Sequence, residues 1–377
     1  MATNKVTTNV IDMSGNTGGL VWSQGTTAQR PAGVPGDLRL NTTDSRLEFY
    51  NGTDWKRLSE TAGSPSADFQ TDFLVVGGGG SGSGAYADGS GGIGGAGAGA
   101  GGLRTSFGSS SGGGASNESK FNTILSTSYT VTVGAGGSAP STPTGFYATG
   151  NDGNASVFAT ITSLPGGRGG SRLGGTGNGG NGTYGSGGAN AADSATEDTT
   201  NAGTTGQGFA SGGTTQSGGT PATRSSSGGG GAGGAGVKGG WDASQENGGT
   251  GGLGLAVSIT GASVGYAGGG GGGAGNTSSG VPGGVGTSGG GSGGSTHGGA
   301  AGSGTVNTGG GGGGGGAGTS ASTGGTGGSG VVILRYPNTY TISVGAGLTS
   351  STTTDGSDKT SSSSLRVPVV ASLFKNA

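Results

Sequence analysis

Polar and apolar residues alternate in the N-terminal part of the chain in a way that predicts short antiparallel strands. Residues 37–40 and 46–50 alternate as half-buried strands do. Residues 53–58 predict a third strand, and Asn51-Gly52 before it is a strong signal for a type I′ hairpin turn. The pattern predicts a small β-meander. A single sheet of this size is too small to be stable alone, so we expect it to pack on a copy of itself or on a partner.

A second pattern lies between two apolar runs, at residues 73–76 and 331–336. The whole chain has 106 glycines in 377 residues, and most of them lie between these runs. Glycine occurs in pure runs, such as 268–273 and 309–316, that are separated by polar or aromatic clusters. A flexible linker needs no such segmentation. Collagen is excluded because proline is scarce and glycine does not occupy every third position throughout.

One unit, a strand followed by glycine, occurs twice. Residues 129–136 and 340–347 are identical at six of eight positions, which indicates a repeated building block. Ordering so many glycines costs conformational entropy that side-chain burial cannot offset, so backbone hydrogen bonds must offset it. Extended polyproline-II helices have three residues per turn and no internal hydrogen bonds, so glycine segments of this kind can bond to one another. We therefore predict a rigid slab of stacked polyglycine helices with loops at its tips.

The predicted fold is mainly β and irregular, with β-strands framing the polyglycine helices and almost no α-helix. Four regions follow from the patterns. Residues 1–60 form a β-module for attachment or oligomerisation, and 61–72 form a linker. Residues 73–347 form the glycine-rich domain, and 348–377 form a C-terminal tail with at most one strand.

Composition and charge exclude several classes of function. Only 9% of residues are charged and the net charge is −2, which argues against nucleic acid and against electrostatic attachment to a membrane. The chain has no cysteine and a single histidine, so no disulfide, Cys/His pair or His-based metal pair is expected. The acidic residues 193, 197 and 198 lack EF-hand spacing. We expect no enzyme activity and no cofactor.

Targeting and membrane signals are also missing from the sequence pattern. The first residues contain no apolar run like that of a signal peptide. No apolar run of 18 residues occurs, so we expect no insertion into a membrane.

Two parts of the chain resemble phage proteins. The N-terminal segment, with Gly36-Asp37-Leu38-Arg39 and Leu47-Glu48-Phe49-Tyr50-Asn51-Gly52, resembles a β-module of phage fibre proteins, although any hairpin anchored by a tryptophan is an alternative. The order of strands and glycine runs in residues 70–347 is similar to the glycine-rich domain of phage tail-fibre and adhesin proteins. The resemblance rests on the segments Phe73-Leu74-Val75-Val76-Gly77, Gly101-Gly102-Leu103-Arg104 and Gly330-Val331-Val332-Ile333-Leu334.

The resemblance implies a virion protein in a tail fibre or its adhesive tip, with receptor-binding loops at the tip of stacked polyglycine helices. It implies other virion proteins as partners of the N-terminal module, a host-surface glycan or outer-membrane protein as receptor, and a homo-oligomer, with a trimer favoured. The alternative is a purely structural protein that decorates the capsid or tail. An ice-binding protein would need a flat, regular Ala/Thr face, which the irregular loops disfavour.

The candidate site residues are mostly aromatic, because aromatic side chains offer large contact areas for sugars or protein loops. The alternative for the loop aromatics is that they seal the edges of the slab, and for the histidine that it is an ordinary loop residue. The receptor-binding candidates are Tyr86, Tyr184, Trp241 and His297, and the attachment or interface candidates are Trp22, Tyr50 and Trp55.

Overall fold

The structure is a computed structural model of the chain. It describes residues 23–58, 69–87, 92–125, 127–141, 148–171, 179–180, 183–191, 200–213, 224–240, 247–275, 280–318, 320–345, 347–365 and 369–376. The chain divides into two compact units, Met1–Ser66 and Ala67–Ala377. No α-helix occurs in these residues, which contain two 3-10 turns, Thr27–Gln29 and Gly112–Gly114. The prediction of a mainly β and irregular fold is confirmed.

The N-terminal unit is a four-stranded sheet. Its strands are β1 (Gln24–Gly25), β2 (Leu38–Asn41), β3 (Arg46–Tyr50) and β4 (Trp55–Arg57), in the order β1-β2-β3-β4. The three longer strands form the predicted antiparallel meander. The turn at Asn51-Gly52 is not a two-residue type I′ turn, because Tyr50 pairs with Trp55 and four residues lie between them. Gly52 has a φ of 103°. Instead of a two-residue turn, the Asn51 side chain accepts hydrogen bonds from the backbone N–H groups of Thr53 and Asp54.

Polar side chains fill the buried face of this sheet. Glu48 is 1% exposed, and its carboxylate accepts hydrogen bonds from Arg30, Arg39 and Asn41. The Arg30 hydrogen bond is the main reason why the pKa of Glu48 lies below its ordinary value. The apolar residues of the same strands, such as Leu47, are half-buried or exposed. The alternation of the sequence is real, but its polar side is the buried one.

The second unit contains fifteen strands in its described part. The six-stranded sheet has the order β17-β18-β15-β5-β8 with β9 beside β5, and the five-stranded sheet has the order β12-β11-β10-β19-β16. The strands are β5 (Phe69–Val76), β6 (Tyr86–Ala87), β7 (Gly92–Ile93), β8 (Leu103–Thr105), β9 (Phe121–Thr123), β10 (Ser128–Thr132), β11 (Ser156–Phe158), β12 (Ile161–Ser163), β13 (Leu255–Val257), β14 (Val264–Tyr266), β15 (Val331–Pro337), β16 (Tyr340–Ser343), β17 (Leu348–Asp355), β18 (Asp358–Leu365) and β19 (Val369–Asn376).

The two apolar runs that frame the glycine region form the central strand pair, β5 and β15. Because side chains alternate along a strand, this pair is buried on both faces. Leu74, Val76 and Ile333 pack into one apolar cluster with Leu103 and Tyr266. Phe73, Val75, Val332 and Leu334 pack into a second cluster with Phe158. These two clusters form one end of the unit, which we call the sheet end.

The C-terminal region contains more strand than the sequence predicted. We expected at most one strand in residues 348–377, whereas β17, β18 and β19 lie there. The β17–β18 hairpin is built from Ser and Thr, so it lacks the apolar alternation that marks a strand in sequence. The repeated segments are β10 and β16, which flank β19 on either side in the five-stranded sheet. Strand β5 begins at Phe69, so residues 69–72 of the predicted linker belong to the sheet.

Polyglycine helices extend from the strands and form an array. Successive N–H groups of residues 77–85 donate in strict rotation to three neighbouring segments, at distances of 2.8–3.1 Å: residues 96–102, 148–154 and 322–328. Every third residue of the segment donates to the same neighbour, and this period is that of a helix with three residues per turn. Carbonyl groups of the same segment accept from residues 137, 166–169 and 312–315. The helix therefore has six neighbours, and it is bonded to all of them through its backbone.

The close approach of the backbones leaves little room for side chains inside the array, where small residues such as Ser81, Ser83 and Ala98 are fully buried beside glycine. A Cβ atom at Gly79 would overlap the carbonyl group of Gly310. At the surface of the array, non-glycine residues recur at every third position and face outward. Examples are Asn247, Thr250 and Leu253 on one helix, and Thr323, Thr326 and Ser329 on another. The predicted slab of stacked polyglycine helices thus has an interior of glycine with some serine and alanine, and an outer layer of larger side chains.

Candidate functional site

One set of connections between polyglycine helices lies at the end of the array opposite the strands, which we call the far end. Residues 77 and 102 lie next to the paired strands β5 and β8, whereas Ala85 and Gly94 lie at the other end of their helices. Backbone hydrogen bonds then place further segments beside those ends: Ala85 N–H donates to Ser322, Gly94 N–H to Arg224, and Arg224 N–H to Gly275. The far end is thus a surface built mainly from chain reversals, while the sheet end combines strands with further reversals, such as the turn at residues 305–308.

The helices that flank most of the undescribed segments also run toward the far end. Gly240 N–H donates to the carbonyl group of Asn247 at 2.9 Å, so the two residues that bracket 241–246 are neighbours there. Trp241 itself lies outside the described residues. The acidic residues 193, 197 and 198 lie outside them as well.

Tyr86 lies at the far end, in the two-stranded sheet formed by β6 and β7. Its half-buried ring packs against a small apolar cluster of Ile93, Ala96, Ala189 and Ala191. The cluster fixes the ring from one side and leaves part of it accessible. Tyr86 is therefore both a seal of the array edge and a surface that a ligand can reach.

His297 also lies at the far end, in the turn between two helices. Its φ of 62° is in the left-handed region, and its side chain is exposed. The turn is held by its backbone: His297 N–H donates to the Ala317 carbonyl at 3.2 Å, and Ser320 Oγ donates to the His297 carbonyl at 3.1 Å. These two hydrogen bonds fix the backbone of the turn and leave the imidazole exposed at the surface. Gly92, next to the partner of Tyr86, also approaches Ala317, so the two candidates belong to one surface.

Arg224 brings a positive charge to this surface. It lies beside Ile93 in a parallel bridge, and its Nε atom is buried without a hydrogen-bond partner. An isolated arginine carries no motif, so sequence analysis does not single it out. Among the described residues, no group of three or more His, Asp or Glu could hold a metal ion.

Tyr184 does not join the other candidates. Gly185 N–H donates to the Pro165 carbonyl, and Pro165 lies just beyond β12, so Tyr184 is close to the sheet end. Its hydroxyl donates to Asp152 Oδ2 at 3.0 Å, and the same carboxylate accepts from Arg168 Nη1 at 2.8 Å. Burial, with the Asp152 charge, raises the pKa of the Tyr184 hydroxyl. The three side chains link three helices across the flank of the array, a role that the sequence alone did not indicate.

The attachment candidates lie in the N-terminal unit. Tyr50 and Trp55 pack with ring centroids 5.5 Å apart, and Trp55 Nε1 donates to the Pro31 carbonyl at 3.2 Å. The Arg39 guanidinium lies 5.8 Å from the centre of the Trp55 ring. Both aromatic residues thus support the small sheet, and both remain half-buried, so contact with a partner stays a prediction. Trp22 lies outside the described residues.

Comparisons with known proteins bear on the second unit. Within the described ranges, no helix has the length and apolar character needed to cross a membrane. A search of curated proteins found no match to the chain. A family model described as a glycine-rich domain matches residues 59–337, which is most of the chain and includes the whole polyglycine array. The chain belongs to this family of glycine-rich domains.

Proposed function

We propose that the protein is a phage virion protein of the tail fibre or its tip, and that the far end of the array binds a receptor on the host surface. The observation that carries the proposal is the difference between the two ends of the array. Strands and apolar clusters cover one end, whereas the other end is formed mainly by chain reversals such as the His297 turn. A rigid scaffold that presents loops at one end is the usual arrangement of a binding module.

The chemistry of the far end suits recognition rather than reaction. Tyr86 offers a partly accessible ring, His297 an exposed imidazole and Arg224 a guanidinium. Aromatic and guanidinium groups contribute most of the binding energy at many interfaces. A glycan or an outer-membrane protein loop would suit this set. The N-terminal unit would connect the chain to other virion proteins, and copies would assemble into a homo-oligomer, with a trimer favoured.

Adsorption of purified protein to host cells tests the proposal. We expect saturable binding, and we expect a variant with Tyr86→Ala and His297→Gly to bind at least about tenfold more weakly. Glycine at 297 keeps the left-handed backbone, so the turn should survive. The matched control is Val306→Ser, which changes an exposed side chain in a turn at the sheet end and should leave binding unchanged.

Exchange of residues 241–246 with those of a related fibre gives an independent readout, because we expect it to change the range of cells that bind. If neither the double variant nor the exchange alters adsorption, receptor binding at the far end is wrong. A purely structural role on the capsid or tail would then be the better explanation. Locating the protein on virions by immunogold labelling would test the virion assignment separately.

A further inference from the structure

A small cavity at the sheet end has an unusual lining. It has a volume of about 240 Å³ and lies between the six-stranded sheet, the end of strand β14 and the turn that contains Asn307. Among the described residues, apolar side chains and side chains with hydrogen-bonding groups line it, and none of these is charged. The residues on which the argument depends are Tyr266, Asn307, Val331, Ile333, Ser351 and Ser362.

Tyr266 is the most informative residue of the lining. It is 5% exposed and its ring belongs to the first apolar cluster. In the described structure its hydroxyl has no hydrogen-bond partner, and burial alone raises its pKa. Tyr336 is buried to a similar degree on the other face of the sheet, but its hydroxyl is bonded to Thr352. The Tyr266 hydroxyl itself is not sealed from solvent, so it opens into the cavity and can pair with a group that comes from outside.

Three more side chains direct free hydrogen-bonding capacity to the same place. Ser351 and Ser362 are paired across β17 and β18, and Ser362 is paired with Ile333, so all three share the face that lines the cavity. Asn307 has a φ of 60°, and its Oδ1 accepts from Ser329 Oγ at 3.2 Å. This hydrogen bond holds the amide and leaves its Nδ2 group available to the cavity.

The composition of the lining selects a class of ligand. Hydroxyl and amide groups both donate and accept, which suits a ligand rich in hydroxyl groups. Val331 and Ile333 provide an apolar floor for C–H groups, and the described residues of the lining carry no charge, which disfavours an ionised ligand. The volume equals about eight water molecules at roughly 30 Å³ each, so it fits one sugar ring and not a chain of several.

A larger groove lies against the second apolar cluster, and two hydrogen-bonding side chains of its lining are already paired within the protein. Its volume is about 670 Å³, and Glu118 and Asn117 line it. The Glu118 carboxylate is bound by Arg104 at 2.8 and 2.6 Å, and Asn117 donates to the Ser106 carbonyl at 3.0 Å. The side chains of Glu118 and Asn117 thus stabilise the fold. The hydroxyls of Tyr266, Ser351 and Ser362 have no hydrogen-bond partner among the described residues.

We propose that the cavity formed by Tyr266, Asn307, Ser351 and Ser362 over Val331 and Ile333 binds one neutral monosaccharide unit, either free or at the end of a glycan. The site lies at the sheet end and is distinct from the surface of Tyr86 and His297. It does not depend on receptor binding at the far end, so either proposal can fail alone.

Saturation-transfer NMR and calorimetry with defined sugars test this proposal. The probes are glucose, galactose, mannose and N-acetylglucosamine, their methyl α- and β-glycosides, and glucuronate as the charged control. We expect at least one neutral sugar to bind saturably below about 10 mM, and glucuronate to bind more weakly. Methyl glycosides that bind as well as the free sugar would assign the site to the end of a glycan. Binding of the free sugar alone would assign it to a monosaccharide.

Tyr266→Phe is the decisive variant, because it removes the hydroxyl without breaking any hydrogen bond within the described protein. We expect about tenfold weaker sugar binding and unchanged thermal stability. Asn307→Gly keeps the left-handed backbone and should weaken binding to a similar extent. Tyr336→Phe is the matched control and should bind like the parent protein. The proposal is wrong if no neutral sugar binds, or if Tyr266→Phe retains the parent affinity.

Discussion

The sheet end and the polyglycine array lie in the same unit and are stabilised in opposite ways. At the sheet end, side chains such as Phe158 and Leu74 are fully buried, and the strands serve to place them. In the array the backbone makes the contacts, and a side chain is an obstacle at most interior positions. Burial therefore has two meanings in this protein. At the sheet end it removes apolar surface from water, and in the array it pairs backbone N–H and C=O groups.

The largest effect should come from adding one methyl group inside the array. Gly79→Ala places a Cβ against the Gly310 carbonyl, in a helix with neighbours on all sides, so relief requires backbone movement. We expect the free energy of unfolding to fall by at least about 4 kcal/mol, or the protein to fail to fold. Denaturant unfolding measures the loss, and hydrogen exchange of the amides of residues 77–85 reports whether the array persists.

Gly234→Ala is the matched control for that change. A Cβ at Gly234 would have its nearest neighbour at 3.5 Å, an ordinary contact with Leu253. We expect a change within about 0.5 kcal/mol. Equal losses for the two variants would show that glycine is needed for chain flexibility and not for close approach.

The second effect should come from removing a side chain at the sheet end. Leu74→Ala leaves a cavity in the first apolar cluster, where Leu74 is 0% exposed, and should cost about 3 kcal/mol. Leu253→Ala is the control, because Leu253 is 62% exposed and should change stability little. Calorimetric unfolding of both variants measures the difference. A small loss for Leu74→Ala would mean that the array stabilises the unit without help from the apolar clusters.

The smallest effect concerns the N-terminal unit, where charged groups replace apolar ones inside. The Arg30 hydrogen bond holds the pKa of Glu48 below its ordinary value of 4.5, so the ionised carboxylate stabilises the folded unit above that pH. This contribution is lost as the pH falls through the lowered pKa of the folded state. We expect the melting temperature of the unit to fall on acidification, and to fall less steeply in Glu48→Gln. Identical pH profiles would exclude Glu48 as the source.

Much of the architecture could be predicted because strands and glycine runs leave strong patterns. The apolar runs 73–76 and 331–336 form the central strand pair, and the segmented glycine runs form ordered helices. The buried polar face of the N-terminal sheet could not be predicted, because alternation shows two faces but not which of them is buried. The strands β17 and β18 were not predicted because Ser and Thr carry little apolar signal.

The candidate site was only partly predictable. Tyr86 and His297 interrupt glycine and lie at the far end, but Tyr184 interrupts it too and lies near the sheet end. A residue lies at one end or the other according to the number of helices that precede it. The ends of the helices are not marked in the sequence, so this number cannot be counted from it. One signal was available: the repeat X-Gly-Gly in residues 247–253 and 323–329 marks helices at the surface of the array.

The rotation of hydrogen-bond donors around each helix gives the array a reading frame of three residues. Adding or deleting one residue inside the segment 77–85 would turn every later N–H group by a third of a turn, toward the wrong neighbour. Three residues would restore the direction, at the cost of a longer helix. No such restriction applies to the connections at the far end. Length changes within the array should therefore occur in threes, whereas the connections are free to vary by single residues.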